Sequence, residues 1–226
     1  MATPAPSLPS ASVEDYLKAI YSLGRGGERV STTALAERLG FAASSASAMI
    51  ARLADSGLLD YVPYSGVRLT DKGRREALRV IRRHRLLEAF LVSSLELPWD
   101  EVHVYAEQLE HAASDELIDV IAAKLGDPTV DPHGDPIPTR ELTIEERGAE
   151  TLADLQPGER ATVVRVSDSD PEMLRHLAER AIGIGAEIES IGRQPFGGPV
   201  EIRSAGRDHA LGPALAKAIR IARLEP

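Results

Sequence analysis

His103, Glu107, Glu110 and His111 stand at successive offsets of four, three and one in a stretch whose apolar periodicity predicts a helix over 99–111. That spacing puts all four on one helix face, where carboxylate oxygens and imidazole nitrogens can converge on one cation without a backbone break. His84 and Glu88 repeat the theme at i, i+4 on a second, longer helix. Mixed oxygen and nitrogen donors suit Mn²⁺ or Fe²⁺ better than a soft-metal site, although the raw affinity order favours Zn²⁺ or Cu²⁺. The chain has no Cys, which removes thiolate zinc sites, iron–sulfur clusters, disulfides and thiol nucleophiles together. The His-Glu-x-x-His order of zinc peptidases is also absent. A solvated acidic face with two histidines is the ordinary alternative for one such helix. Two His/Glu pairs on neighbouring helices weigh against it.

The elements that must position these residues sit in a chain of segregated charge. The 226 residues carry a net charge of −9, with 43% hydrophobic and 27% charged residues. That composition excludes wholesale disorder and a membrane bundle. Residues 1–99 hold 13 Lys/Arg against 10 Asp/Glu, residues 100–150 hold 3 against 14, and residues 151–226 hold 10 against 11. The stretch 41–85 alone has 9 basic and 4 acidic residues. A basic segment joined to a very acidic one points to an anionic partner on one side and a cation on the other. No apolar run is long enough to span a membrane, and the first eleven residues lack the basic and apolar regions of a secretory signal. A cytoplasmic protein with no membrane partner is expected.

After that Pro/Ser/Ala tail, the spacing predicts helices over 13–23 (N-cap Ser12), 32–39 (N-cap Ser31, stop Gly40) and 42–56 (stop Gly57). LLDYV and GVRLT around Pro63-Tyr64-Ser65-Gly66 predict a hairpin. A long helix from Asp71 to about Leu95, one over 99–111 and one over 114–125 follow. GDPTVDPHGDPIPTR, residues 126–140, reads as a linker over the surface or between domains. ERATVVRV, AEIESI and PVEIRS predict short strands, PEMLRHLAERA a short helix, and LGPALAKAIRIARL a segment of mixed helical and strand character. The division expected is a flexible tail (1–11), a DNA-binding domain (12–73), a helical metal-binding and dimerisation domain (74–140), and a linker with a small β domain (141–226).

Helix–helix–turn–helix–wing is the winged helix-turn-helix order, and LGFAAS is the short Gly-containing turn that the motif needs. In that geometry the third helix enters the major groove by its N-terminal residues. Ser44, Ser45 and Ser47 stand there, and Arg52 and, on the wing, Arg68 suit phosphate contacts. None of the three serines makes the bidentate contact that would reveal a base sequence. His133 in the linker, and His176 and His209 in the β domain, read as ordinary surface or hydrogen-bonded histidines, and Trp99 as core at a helix start.

YLKAIYSL, TALAERLGFAASSASAMIARLADSGLL, LTDKGR, RRHRLLEAFL, EQLEHAASDEL and PHGDPIP are together very similar to the diphtheria-toxin-repressor family of metal-dependent transcription regulators. The resemblance covers nearly the whole chain from Val13 and implies a mainly α fold with a small C-terminal SH3-like β-barrel. It implies a primary metal site of Asp15, Glu107, Glu110 and His111, with Asp and Glu at the two positions where iron-responsive members carry Met and Cys, as in manganese-responsive members. It implies a second site of His84, Glu88 and His103 with a contribution from the SH3-like domain. Arg165 stands where iron-responsive members have a Glu ligand there, which leaves Asp168 to serve. Lys18 stands where short manganese-responsive members have a Glu, which favours two separate sites over a close two-metal cluster.

The resulting expectation is a non-enzymatic, homodimeric transcription regulator that binds a double-stranded DNA operator. Mn²⁺ is its expected effector, Fe²⁺ the alternative, and metal-uptake genes its targets. A metal-dependent hydrolase and a winged-helix sensor of an organic ligand are the competing readings.

Overall fold

A computed structural model describes residues 10–24, 27–145 and 150–224, so residues 1–9 of the expected tail lie outside the described residues. Contacts divide the chain into two compact units. The first comprises Met1–His84, Gln108–Asp115 and Pro138–Thr143, the second Arg85–Glu107, Glu116–Ile137 and Ile144–Pro226. No helix among the described residues is long and apolar enough to cross a membrane.

In the first unit, α1 (Ala11–Leu23), α2 (Thr32–Leu39) and α3 (Ala43–Asp55) are followed by β1 (Leu59–Val62) and β2 (Gly66–Leu69). The helices form because each carries one apolar face. Leu17 and Ile20 on α1, Leu35 on α2, and Ala46, Ile50 and Leu53 on α3 are all buried, as is Val67 on the hairpin. Truncating a fully buried Leu such as Leu35 costs about 2–5 kcal/mol. Ser31 caps α2 by accepting the Ala34 N–H, and Gly40 ends it in the left-handed region. The first helix begins two residues before the expected start, at Ala11 with Ser10 preceding it. The hairpin is antiparallel, with Val62 opposite Gly66. Val30 pairs with Val67 in a single antiparallel bridge beside the hairpin. Gly66 is required there: its φ is +92°, and a Cβ would lie 2.3 Å from the Val30 carbonyl oxygen.

The long helix α4 (Asp71–Leu95) runs as expected and contributes residues to both units. Helices α5 (Val102–Leu109) and α6 (Asp115–Lys124) follow. The expected helix over 99–111 is therefore too long at both ends. Glu110 and His111 lie in the turn after α5, where the Ala112 and Ala113 amides both donate to the Leu109 carbonyl. Nothing in AEQLEHAASDE signals that stop.

The second unit carries a six-stranded antiparallel sheet in the order β3-β8-β4-β5-β6-β7. Its strands are β3 (Glu150–Thr151), β4 (Arg160–Val166), β5 (Glu187–Arg193), β6 (Val200–Ser204), β7 (Arg207–Leu211) and β8 (Ile219–Arg223), with α7 (Pro171–Ala178) and α8 (Pro213–Ala218) between them. Ala161, Val163, Leu174, Leu177, Ile188, Ile202, Leu211 and Ile219 form its core, and Trp99 packs against it. The mixed tail resolves into α8 followed by β8. Strands β3 and β7 carry too few apolar residues to have been expected.

Segment 126–140 is not a surface linker. Asp131, His133, Asp135 and Ile137 are buried, and the Asp131 carboxylate accepts the His133 and Asp135 N–H groups at 2.9 Å each. The His133 carbonyl accepts the Val166 N–H. Gly134, at φ +85°, lets the backbone reach β4, since a Cβ would lie 2.1 Å from the Val164 carbonyl oxygen.

Candidate metal centre and DNA-facing elements

In the first unit, one ligand atom each from Asp15, Glu110 and His111 lies within 4.8 Å of the others. Asp15 comes from α1, and Glu110 and His111 from the turn after α5. His111 Nε2 is 3.0 Å from Asp15 Oδ1 and 3.6 Å from Glu110 Oε1. His111 Nδ1 faces Glu14 Oε2 at 2.6 Å. Glu14 is itself buried and paired with the buried Arg83 at 3.1 Å, whose guanidinium also holds Asp115 at 2.9 Å. With Nδ1–H donating to Glu14, Nε2 keeps its lone pair toward Asp15 and Glu110, the orientation a ligating imidazole needs. Neither Glu14 nor Arg83 was singled out in the sequence. The signal was Glu14 beside Asp15, a pattern that an acidic helix surface produces equally well.

Glu110 is fully buried. Besides His111 it faces Lys18 Nζ at 2.6 Å and His84 Nδ1 at 2.5 Å. The structure thus places His84, expected in the second set, beside Glu110 of the first. Glu107 is half-buried on α5, three residues before Glu110.

In the second unit, Glu88, His103 and Asp168 bring ligand atoms within 4.8 Å of one another. His103 Nδ1 lies 3.3 Å from Glu88 Oε1 and 3.6 Å from Asp168 Oδ2. Glu88 also groups with Asp131 and His133, all three buried. The sequence reading missed these last two, because Asp and His in a Pro/Gly-rich segment look like turn residues. His133 Nε2 is 2.8 Å from the Trp99 carbonyl, which can only accept, so the proton is on Nε2. In the neutral ring its buried Nδ1, without a hydrogen-bond partner, would point a lone pair at Glu88 Oε2, 3.8 Å away. Burial, with Glu88 and Asp135 adding to it, pushes the Asp131 carboxyl up to about 7, against the opposing pull of Arg85 and His133. With His133 neutral, two acceptors would face each other in a buried place, which fits a cation between them. Arg165, which stands where the resemblance places a Glu ligand in iron-responsive members, is paired with Asp135 at 3.0 Å. Arg85 reaches the same carboxylate at 3.1 Å.

The DNA-facing candidates behave as a surface. Ser44, Ser45, Ser47 and Arg52 are exposed on α3, opposite its buried face. Ser47 donates to the Ala43 carbonyl at 2.8 Å, so its hydroxyl keeps only acceptor capacity for a partner. Ala42 precedes α3 and offers no side-chain cap, leaving the first-turn amides open. On the wing, Asp60 is held by Arg68 at 2.8 Å and by Arg29 at 2.7 Å. The hydrogen bond from Arg68 keeps the Asp60 carboxyl below the usual range, with Arg29 acting the same way. Arg68 remains more than half exposed. Tyr64 stands fully exposed at the wing tip.

Comparison with known proteins gives this arrangement its context. Residues 10–67 match the family described as iron dependent repressor, N-terminal DNA binding domain. Residues 70–139 match iron dependent repressor, metal binding and dimerisation domain, and residues 150–223 match the FeoA domain. The diphtheria toxin repressor of Corynebacterium glutamicum is 31% identical over 225 residues, covering 95% of this chain and 97% of that protein. The chain belongs to the diphtheria toxin repressor family. The iron-dependent repressor IdeR of Mycobacterium tuberculosis is 38% identical over 127 residues, 56% of this chain and 55% of that protein. The chain thus spans about half the length of the mycobacterial relatives it matches. A solved structure described as a manganese-dependent transcriptional repressor complex with manganese superposes with a TM-score of 0.86. It is 44% identical and covers 94% of this chain and 100% of its own. The family consists of repressors, not enzymes, and the hydrolase reading falls with that.

Proposed function

We infer that this chain is a manganese-activated, homodimeric repressor that binds operator DNA in the cytoplasm and controls metal-uptake genes. The observation that carries the reading is the convergence of Asp15, Glu110 and His111, with no sulfur donor. Asp15 belongs to a helix of the winged helix-turn-helix and the other two to the turn after α5. A divalent ion bound there would supply a positive charge that the carboxylates would neutralise and the imidazole would help ligate. Asp15, Glu110 and His111 would hold it. Glu88, His103 and Asp168 would hold a second ion, with His133 facing the other oxygen of Glu88.

The chain's own part in activation is positional. Asp15 would hold the ion only with α1 docked, so its ligation would favour the conformer in which α1 braces α2 and α3 for the groove. Ser44 and Ser45 then approach base edges, while Arg52 and Arg68 meet phosphates. Helices α5 and α6 expose Val104, Tyr105, Leu117 and Val120, an apolar set suited to a twofold contact with a second copy. Iron-dependent repressors also match this chain, so Fe²⁺ is the second reading.

Operator binding after chelation, titrated with Mn²⁺, Fe²⁺ and Zn²⁺, tests the choice. Mn²⁺ should stimulate most at saturation even where Zn²⁺ binds more tightly, because a tetrahedral preference leaves a donor such as Asp15 unused. Replacing Asp15 by Met and Glu107 by Cys should shift the response toward Fe²⁺ under reducing, anaerobic conditions. Equal stimulation by Fe²⁺ and Mn²⁺, unchanged by the double substitution, would refute the manganese assignment.

A further inference from the structure

Lys18 follows Asp15 by three residues on α1, so both side chains leave the same face of the helix. Its ammonium donates to Glu110 Oε1 at 2.6 Å, the oxygen that His111 Nε2 faces at 3.6 Å. Glu110 is fully buried, whereas the Lys18 side chain is 18% exposed. The lysine therefore reaches inward along its methylene stem from a place where its charge can return to water. A single positive charge already sits on the carboxylate oxygen around which the candidate metal ligands gather.

We propose that Lys18 is a built-in competitor for the metal. Its ammonium neutralises Glu110 in the metal-free protein and is displaced when a divalent ion takes that oxygen, which sets the metal concentration at which the site fills. This rests on the reading of Asp15, Glu110 and His111 as a metal site. The physical case is competition for one lone-pair direction. An ammonium at hydrogen-bond distance occupies the space that a metal ion needs, and two cations beside one carboxylate repel each other. The apparent metal affinity is then reduced by the fraction of time that Glu110 is free of Lys18. Lys18 also has a stabilising duty. Glu14 and Asp15 lie close by, and Arg83 is committed to Glu14 and Asp115. Removing the ammonium would leave the two histidines as the only groups described above that can donate a hydrogen bond to Glu110. A neutral residue at position 18 must therefore act in two opposite directions, tightening metal binding while weakening the metal-free fold.

The test uses the full chain and no DNA. Free Mn²⁺ is followed by its electron paramagnetic resonance signal during titration of chelator-stripped protein, and thermal melting is recorded with and without Mn²⁺. The class of sites to follow is the one that Asp15→Asn removes. Lys18→Met and Lys18→Gln should each tighten that class by about tenfold. Both should melt at lower temperature than wild type when stripped, and gain more from added Mn²⁺. Lys18→Arg, which keeps the charge, should stay near the wild-type affinity. Neutral variants that bind Mn²⁺ as wild type does, or more weakly, overturn the proposal while leaving the metal site intact. A wild type with no Mn²⁺ class sensitive to Asp15→Asn overturns the proposal and the metal-site reading together.

Discussion

Glu14 Oε2 accepts a hydrogen bond from His111 Nδ1 at 2.6 Å while Arg83 holds the same carboxylate from its other oxygen. The first helix thereby fixes the ring of a candidate ligand carried by the turn after α5. Because Arg83 is itself buried, the chain Arg83–Glu14–His111 leaves the imidazole little freedom to turn. Orientation of this kind is worth about 10–100-fold in metal affinity.

Glu14→Gln keeps the volume but loses the charge that Arg83 and the imidazole both use. Its Mn²⁺ affinity should fall by about 10–100-fold with helical content unchanged. Titration of free Mn²⁺ alongside far-ultraviolet circular dichroism checks both. An unchanged affinity would remove Glu14 from the site.

Arg52 is exposed on α3 within the basic stretch 41–85. Arg52→Ala should weaken DNA binding across sequences and reduce the magnitude of the salt slope by about 1, as for the loss of one phosphate contact. Ser45→Ala should instead alter the ranking of operator variants. Binding measured over a salt series on several operators separates the two. A salt slope for Arg52→Ala equal to that of wild type would place Arg52 off the interface.

The Asp131 carboxyl titrates near 7 rather than at its ordinary value of 3.8. Its protonated form is therefore favoured by folding, and the stability it confers at low pH is lost as the pH rises through about 7. In stripped protein, Asp131→Asn should gain on wild type in melting temperature between about pH 4 and pH 7. Added Mn²⁺ should reverse that order, because the wild-type carboxylate then has a cation beside it. Parallel melting curves for the two proteins across this range would contradict the assignment.

Much of the architecture was legible because it rests on periodicity. The face of α3 made by Ala46, Ile50 and Leu53, the hairpin around Pro63–Gly66 and the strands β4, β5 and β6 all follow from apolar spacing with punctuating glycine or proline. The stop after Leu109 was not legible, since no local residue announces it. The burial of Asp131 and His133 was hidden for a different reason. Turn-forming residues normally lie on the surface, and it is the left-handed Gly134 against the Val164 carbonyl, with the His133–Val166 hydrogen bond, that reveals this turn pressed onto β4. In the site, the His and Glu spacings identified candidates, but the sequence could not show that Glu14 and Lys18, one beside Asp15 and one three residues after it, contact His111 and Glu110.

The central claim is that metal at the Asp15–Glu110–His111 set switches on DNA binding. It is tested most directly by following operator binding and Mn²⁺ binding in the same titration of stripped protein, for wild type and for His111→Ala. The account predicts that the two wild-type midpoints move together. It also predicts that His111→Ala, still folded and dimeric, loses Mn²⁺-dependent DNA binding over the range that saturates wild type. Full operator binding by His111→Ala at the wild-type Mn²⁺ midpoint, or by stripped wild type in excess chelator, would contradict it.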